Sequence, residues 1–110
     1  MTRGYRPSAY LSPMRVLAGV FEAVEAETPY GGRAVSYEAL GQAWLRLGAR
    51  RRREVRDQGG ARAIEVVTAE ARSDGRLVEG RVLRFGGADW RVTAAEHAGG
   101  RAILSLERMR

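Results

Sequence analysis

The chain has 110 residues and a mass of 12.1 kDa, a size at which one domain with one modest core is expected. It has no Cys and a single His, His97, which excludes a disulfide scaffold, a thiolate zinc site, a cysteine nucleophile and a multi-histidine metal site. All 19 basic residues are Arg; with 13 acids they give a formal charge of +6 and a pI near 10.9, a balance that favours a polyanionic neighbour such as nucleic acid.

Codon usage in a GC-rich genome accounts for Arg over Lys. It does not account for base over acid, because the same bias could have supplied Glu and Asp as counterweights. No apolar run approaches the roughly 20 residues of a membrane-crossing helix. The first residues carry no apolar stretch with a small-residue cleavage site, so no secretory signal is read there. The expectation is an intracellular, non-redox protein with no membrane partner and no cofactor.

In chain order, residues 1–14 (MTRGYRPSAYLSPM) carry two Pro, two Tyr and two Ser without a period, as in a flexible arm. Tyr5 and Tyr10 would suit an interface if that arm orders on a partner. Residues 15–28 are ambiguous. Val16, Leu17, Val20, Phe21 and Val24 fall at helical spacing behind Ser12-Pro13, while Val16, Ala18, Val20 and Val24 share one face of a strand. Periodicity slightly favours the helix. Residues 29–33 (PYGGR) form a turn by composition. Residues 34–37 are strand-like, and 38–47 are equivocal because Gly41 interrupts a helix there. Residues 48–60 (GARRRREVRDQGG) are the most polar stretch, bracketed by glycines. They are expected as an inserted basic loop, or a short helix near 49–58.

The remainder reads more firmly. Residues 62–72 look like a strand with Ile64, Val66 and Thr68 on one face, and Ser73-Asp74-Gly75 is a turn. Leu83 and Phe85 share the inward face of the next strand. After Gly86-Gly87, Trp90, Val92 and Ala94 do the same, and after Gly99-Gly100, Ala102, Leu104 and Leu106. Short alternating strands joined by Gly turns predict a mainly β fold, a small antiparallel barrel over 15–110.

Catalytic groups are scarce. His97 is the one base titrating near neutrality and falls at a predicted hairpin tip, where an exposed turn residue is the plain reading. Ser36, Ser73 and Ser105 have no His partner that the sequence proposes, and no GxSxG elbow is present. The Gly pairs belong to neither GxGxxG nor a P-loop. No enzyme is expected. The constellation with a readable chemical purpose is the basic run of Arg50, Arg51, Arg52, Arg53 and Arg56, offset by Glu54 and Asp57. Guanidinium groups pair with phosphate bidentately and stay charged, so such a loop can hold a DNA backbone without reading sequence. Trp44, Phe85 and Trp90 occupy core-like positions and are expected to be packed rather than stacked on bases.

The order of these features resembles the head–tail joining (head-closure, or stopper) proteins of long-tailed bacteriophages. The resemblance runs over about residues 15–109. It is carried by the opening apolar segment ending in Glu27-Thr28-Pro29-Tyr30-Gly31-Gly32, the stretch VSYEALGQAWLRL, and the Arg/Glu-rich segment Arg50 to Gln58. The strand Ile64 to Arg72 and the closing hairpins RVLRFGGADWRVTAAEHAGGRAILSLERM complete it. The arm before residue 15 is longer than in that family, and 15–28 is rich in Ala and Glu for a strand.

The resemblance implies a small β-barrel assembled as a ring of six or twelve copies in the neck of a phage or gene transfer agent particle. Such a ring is put together in the bacterial cytoplasm. It sits between portal or adaptor ring proteins and tail-terminator or tail-tube proteins. By position, residues 48–60 would match the loop that points into the channel and helps retain packaged double-stranded DNA. The rivals are a free-standing nucleic-acid-binding barrel of the OB or SH3-like type, which needs exposed aromatics on its face, and a fold with two helices in 13–58.

Overall fold

The computed structural model describes residues 14–110, and among them every regular element is a β-strand. Strands β1 (Met14–Glu27), β2 (Arg33–Asp57), β3 (Gly60–Arg72), β4 (Val82–Phe85), β5 (Ala88–Ala98) and β6 (Arg101–Arg108) follow in sequence. They close into a barrel in the order β1-β2-β3-β6-β5-β4, and β4 returns to β1 through Gly19–Phe21. All pairings are antiparallel. The barrel and the closing hairpins match expectation; the residues of the expected N-terminal arm before Met14 lie outside the described part.

The structure decides two stretches of secondary structure. The segment 15–28, open between helix and strand on its sequence, is strand as far as Glu27, because Ala18 and Val20 enter the core and Val16 packs against it with period two. Leu17, required by the helical stripe, points to solvent. Residues 48–60 are neither a loop nor a helix. They form the end of β2, a two-residue turn at Gln58-Gly59, and the start of β3, with Arg50 to Asp57 laddered against Val67 to Gly60.

Three bulges let long strands wrap a small core, since an extra residue bends and twists its strand. Leu40 is extra opposite Val20/Phe21. Gly48 and Ala49 together oppose Thr68. Thr93 is extra opposite Leu106/Ser105, so the inward face passes from Val92 to Ala95, and Ala94, expected inside, is exposed. The Gly pairs act as expected. Gly86-Gly87 (φ 62° and 76°) and Gly99-Gly100 (φ 60° and 77°) join β4–β5 and β5–β6. Positive φ at both central residues is the twist-matched hairpin turn that only Gly, Asn or Asp enters cheaply.

The core alternates small with large side chains, as a narrow barrel requires. Ala18, Ala69, Ala71 and Ala102 leave room for Leu45, Leu83, Leu104, Leu106 and the stacked pair Phe85–Trp90, whose ring centroids are 5.4 Å apart at 6°. Leu77, from the loop between β3 and β4, is fully buried among them. On β3 the inward face is Val67, Ala69 and Ala71 rather than Ile64, Val66 and Thr68. Ile64 is buried separately, in clefts shared with Arg108, Met109 and Arg110.

The molecule measures 68 × 35 × 25 Å. The long axis has a plain cause. Beyond the barrel, residues 22–27 pair only with 33–38, and residues 50–57 pair only with 60–67 over most of their length. Two hairpins therefore project from the two ends of β2.

Candidate nucleic-acid and assembly surfaces

The basic run occupies one strand of the second projecting hairpin. Strand alternation divides it between two faces: Arg50, Arg52 and Arg56 on one, Arg51 and Arg53 on the other. On the first face Arg50 lies over the Trp90 ring, 5.4 Å from its centroid. Arg52 sits with Glu65 and Arg108 around one cleft. The Arg108 Nη1 donates to Glu65 Oε1 at 2.7 Å; that bond, helped by Arg50 and Arg52, holds the Glu65 carboxyl below its ordinary range. Arg56 is 4.0 Å from Glu54, and Arg62 is 3.4 Å from Asp57. Asp57 Oδ1 also accepts the Gly59 N–H at 2.8 Å and fixes the tip. Among the described residues Arg51 and Arg53 make no ion pair. The hairpin thus presents unneutralised guanidinium groups on an ordered frame. Tyr5 and Tyr10 lie outside the described residues.

The first hairpin has the opposite character. Residues 21–39 carry Glu22, Glu25, Glu27 and Glu38 against the single Arg33. Its tip is pinned by Thr28: the backbone N–H donates to Gly32 O (2.8 Å), the carbonyl accepts from Gly31 N (3.1 Å), and Oγ1 accepts from Gly32 N (2.9 Å). On that tip Tyr30 is 98% exposed, with Val35 and Tyr37 also exposed behind it.

Between the hairpins a groove of about 480 Å³ opens on the barrel wall, lined by Arg15, Trp44, Arg46, Arg72, Arg76 and Arg101, with Glu70 and Asp74 as its two acids. Its origin is topological. β3 accompanies β2 only as far as Arg46, so Leu40 to Leu45 have no strand on that side. Arg76 substitutes for one. Its Nη1 donates to Leu40 O (2.9 Å) and its Nη2 to Gln42 O (3.0 Å), while Asp74 grips the same guanidinium at 2.6 Å. The hydrogen bonds that Asp74 itself accepts, from the Arg76 guanidinium and then from the Arg76 backbone N–H, hold its carboxyl below the ordinary range. Trp44, expected in the core, is 55% exposed beside the groove. It faces outward because its neighbours Ala43 and Leu45 pack inward, and Arg15 lies over its ring at 5.3 Å.

The fold also joins a pair that the sequence did not propose. Ser73 Oγ is 3.2 Å from His97 Nδ1, and His97 Nε2 is 3.0 Å from Leu77 O. A carbonyl only accepts, so Nε2 donates to Leu77 O, and in the neutral ring Nδ1 is then the acceptor of the Ser73 hydroxyl. The Ser73 N–H is spent on Gly100 O, and Asp74 is committed to Arg76. The pair thereby fastens the 73–81 loop over the barrel. No group of three or more metal-ligating side chains occurs among the described residues.

No protein-family model matches the chain, and no curated protein matches it. Among solved structures, it is similar to a chain of the structure described as "Virion of native gene transfer agent (GTA) particle". The TM-score is 0.67 at 19% sequence identity, over 86% of this chain and 94% of that one. At this identity the likeness is one of fold.

Proposed function

We propose that the chain is a structural subunit of a phage-like particle, a connector that forms a ring in the neck and joins portal or adaptor to tail around the DNA channel. The observation that carries this reading is the shared fold with a chain of a gene transfer agent virion, matched over nearly the whole of that chain. The basic hairpin supports it. In a ring each of Arg51 and Arg53 is repeated once per subunit, so a modest hairpin becomes a positive collar around a polyanion. Its role is electrostatic and positional; no bond is made or broken.

The test is mass spectrometry of DNA-containing particles purified from a producing culture. The expected result is this chain at a few copies per particle, beside portal and tail proteins; its confinement to the soluble cell fraction overturns the reading. Replacing Arg50–Arg53 with Ser is expected to give particles that assemble but leak DNA. Unchanged retention removes the collar role.

One observation favours a second reading. The exposed Trp44, flanked by Arg15 and Arg46, is the kind of surface aromatic that a free nucleic-acid-binding barrel uses. That reading expects the isolated chain to bind DNA with steep salt dependence, and Trp44→Ala to weaken it. The connector reading expects weak binding by the isolated chain.

A further inference from the structure

The acidic hairpin and the arginine groove are complementary in three respects. The hairpin carries Glu27 and Glu38 with no cationic partner among the described residues, and the groove carries Arg15 and Arg72 with no anionic one. The hairpin ends in one almost wholly exposed aromatic, Tyr30, carried on a turn whose backbone is hydrogen-bonded through Thr28; a Tyr in that position is the residue type that anchors interfaces. The groove offers about 480 Å³ beside an exposed indole, enough to take one aromatic side chain with its flanking carboxylate.

The tip cannot reach its own groove. Tyr30 lies in the turn beyond Arg33, and from Arg33 to Trp44 β2 runs eleven steps as extended strand, about 35 Å at 3.3 Å per residue. Occupancy by this chemistry therefore needs another molecule. Each copy has one tip and one groove on different parts of its surface, which is a heterologous, head-to-tail arrangement that closes into a ring when its rotation allows.

We propose that the β1–β2 hairpin tip of one copy, Tyr30 with Glu27, docks into the groove of Arg15, Trp44 and Arg72 on the next copy. The occupant is a second copy of this chain. The inference rests on the ring reading above and specifies its contact.

The absence of cysteine makes the test direct. A chain carrying Pro29→Cys, beside Tyr30, is mixed with a chain carrying Gln42→Cys, in the groove, and oxidised at low salt. The expected product is the mixed disulfide dimer, several-fold above the yield from either chain alone and above a Gln58→Cys control on the opposite hairpin. Adding Tyr30→Ser or Arg72→Glu removes the excess, and Tyr30→Phe retains most of it. A mixed yield no higher than the Gln58→Cys control overturns the proposal. So does double-stranded DNA shielding the Gln42→Cys thiol from alkylation with no mixed dimer formed, which would give the groove to nucleic acid. The particle and the contact fail separately: recovery in particles without the cross-link sinks the contact alone, and the cross-link without recovery sinks the neck reading alone.

Discussion

Arg76 and Gly41 allow the barrel seam to be tested as a coupled pair. Arg76→Met keeps the aliphatic stem and removes the guanidinium that bonds Leu40 O, Gln42 O and Asp74. Two charge-assisted bonds to backbone carbonyls contribute about 1.5 kcal/mol each at the low end of their range, appropriate to a partly exposed site. The Asp74 pair adds less than about 1 kcal/mol because it is partly solvated. The expected loss is about 3 kcal/mol, which in a domain of this size lowers Tm by roughly 10–15 °C. Arg76→Lys recovers little, since one ammonium cannot reproduce the fork that spans both carbonyls.

Gly41 probes the same bond network from the other side. A Cβ there would lie 2.6 Å from Arg76 Nη1, and its φ of +115° strains any other residue. Gly41→Ala therefore carries backbone strain and also displaces the Arg76 head. In the Arg76→Met background only the strain remains, so the double variant should be more stable than the two single losses summed, by about 1–2 kcal/mol. The assay is urea unfolding of all four proteins followed by far-UV circular dichroism. A loss below about 1 kcal/mol for Arg76→Met, or strict additivity in the cycle, refutes the claim that Arg76 stands in for a missing strand.

Leu104→Ala, at a position with no solvent exposure, should cost about 2–5 kcal/mol in the same unfolding assay; a loss below about 1 kcal/mol would mean that the barrel interior collapses onto the gap. Trp90 keeps its ring against Phe85, but its Nε1–H is buried without a partner. Trp90→Phe should therefore cost no more than about 1.5 kcal/mol, because an orphaned donor leaves with the indole, and a loss above about 3 kcal/mol would contradict that balance. The Asp74 carboxyl is held down by its bonds to Arg76. Its stabilisation is then fully present above the unfolded carboxyl pKa of about 3.9 and is lost as pH falls through the lower folded value. Asp74→Asn should destabilise at neutral pH and flatten the acid limb of a Tm–pH profile; an unchanged acid limb would refute the linkage.

The sequence made the barrel half legible because one face of β4, β5 and β6 is buried and the other is wet. Leu83/Phe85, Trp90/Val92 and Leu104/Leu106 register that alternation, and the Gly pairs mark its turns. The projecting hairpins have no buried face. Arg50 to Arg53 and Glu22 to Glu27 lie in two-stranded ribbons wet on both sides, so neither shows a period from which a strand could be read. β3 misleads for a local reason. Val66 and Val67 are adjacent, the buried Ala69 and Ala71 carry a weak signal, and Ile64 is covered by the residues after β6 instead of by the core. Trp44 was hidden by its own hydrophobicity, although its place between the inward Ala43 and Leu45 was a signal available in the alternation. The basic residues were identifiable as a group, but their division between two faces required the ladder. Arg76 gave no sign at all, because its carbonyl partners lie more than thirty residues away.

The continuity of β2 has a mechanical consequence. One unbroken strand runs from Arg33, behind the Tyr30 tip, to Asp57 at the end of the basic hairpin. A load applied at either end travels along covalent backbone and is resisted by ladders with β1 and β3 strained lengthwise, many bonds at once, instead of being unzipped one by one. The beam has two joints where it can flex, at Leu40-Gly41 and at Gly48-Ala49, and the Arg76 clasp braces the first. A pull on the acidic tip would therefore be carried by β2 toward the arginine hairpin, and a substitution at either bulge would alter that path without touching either surface.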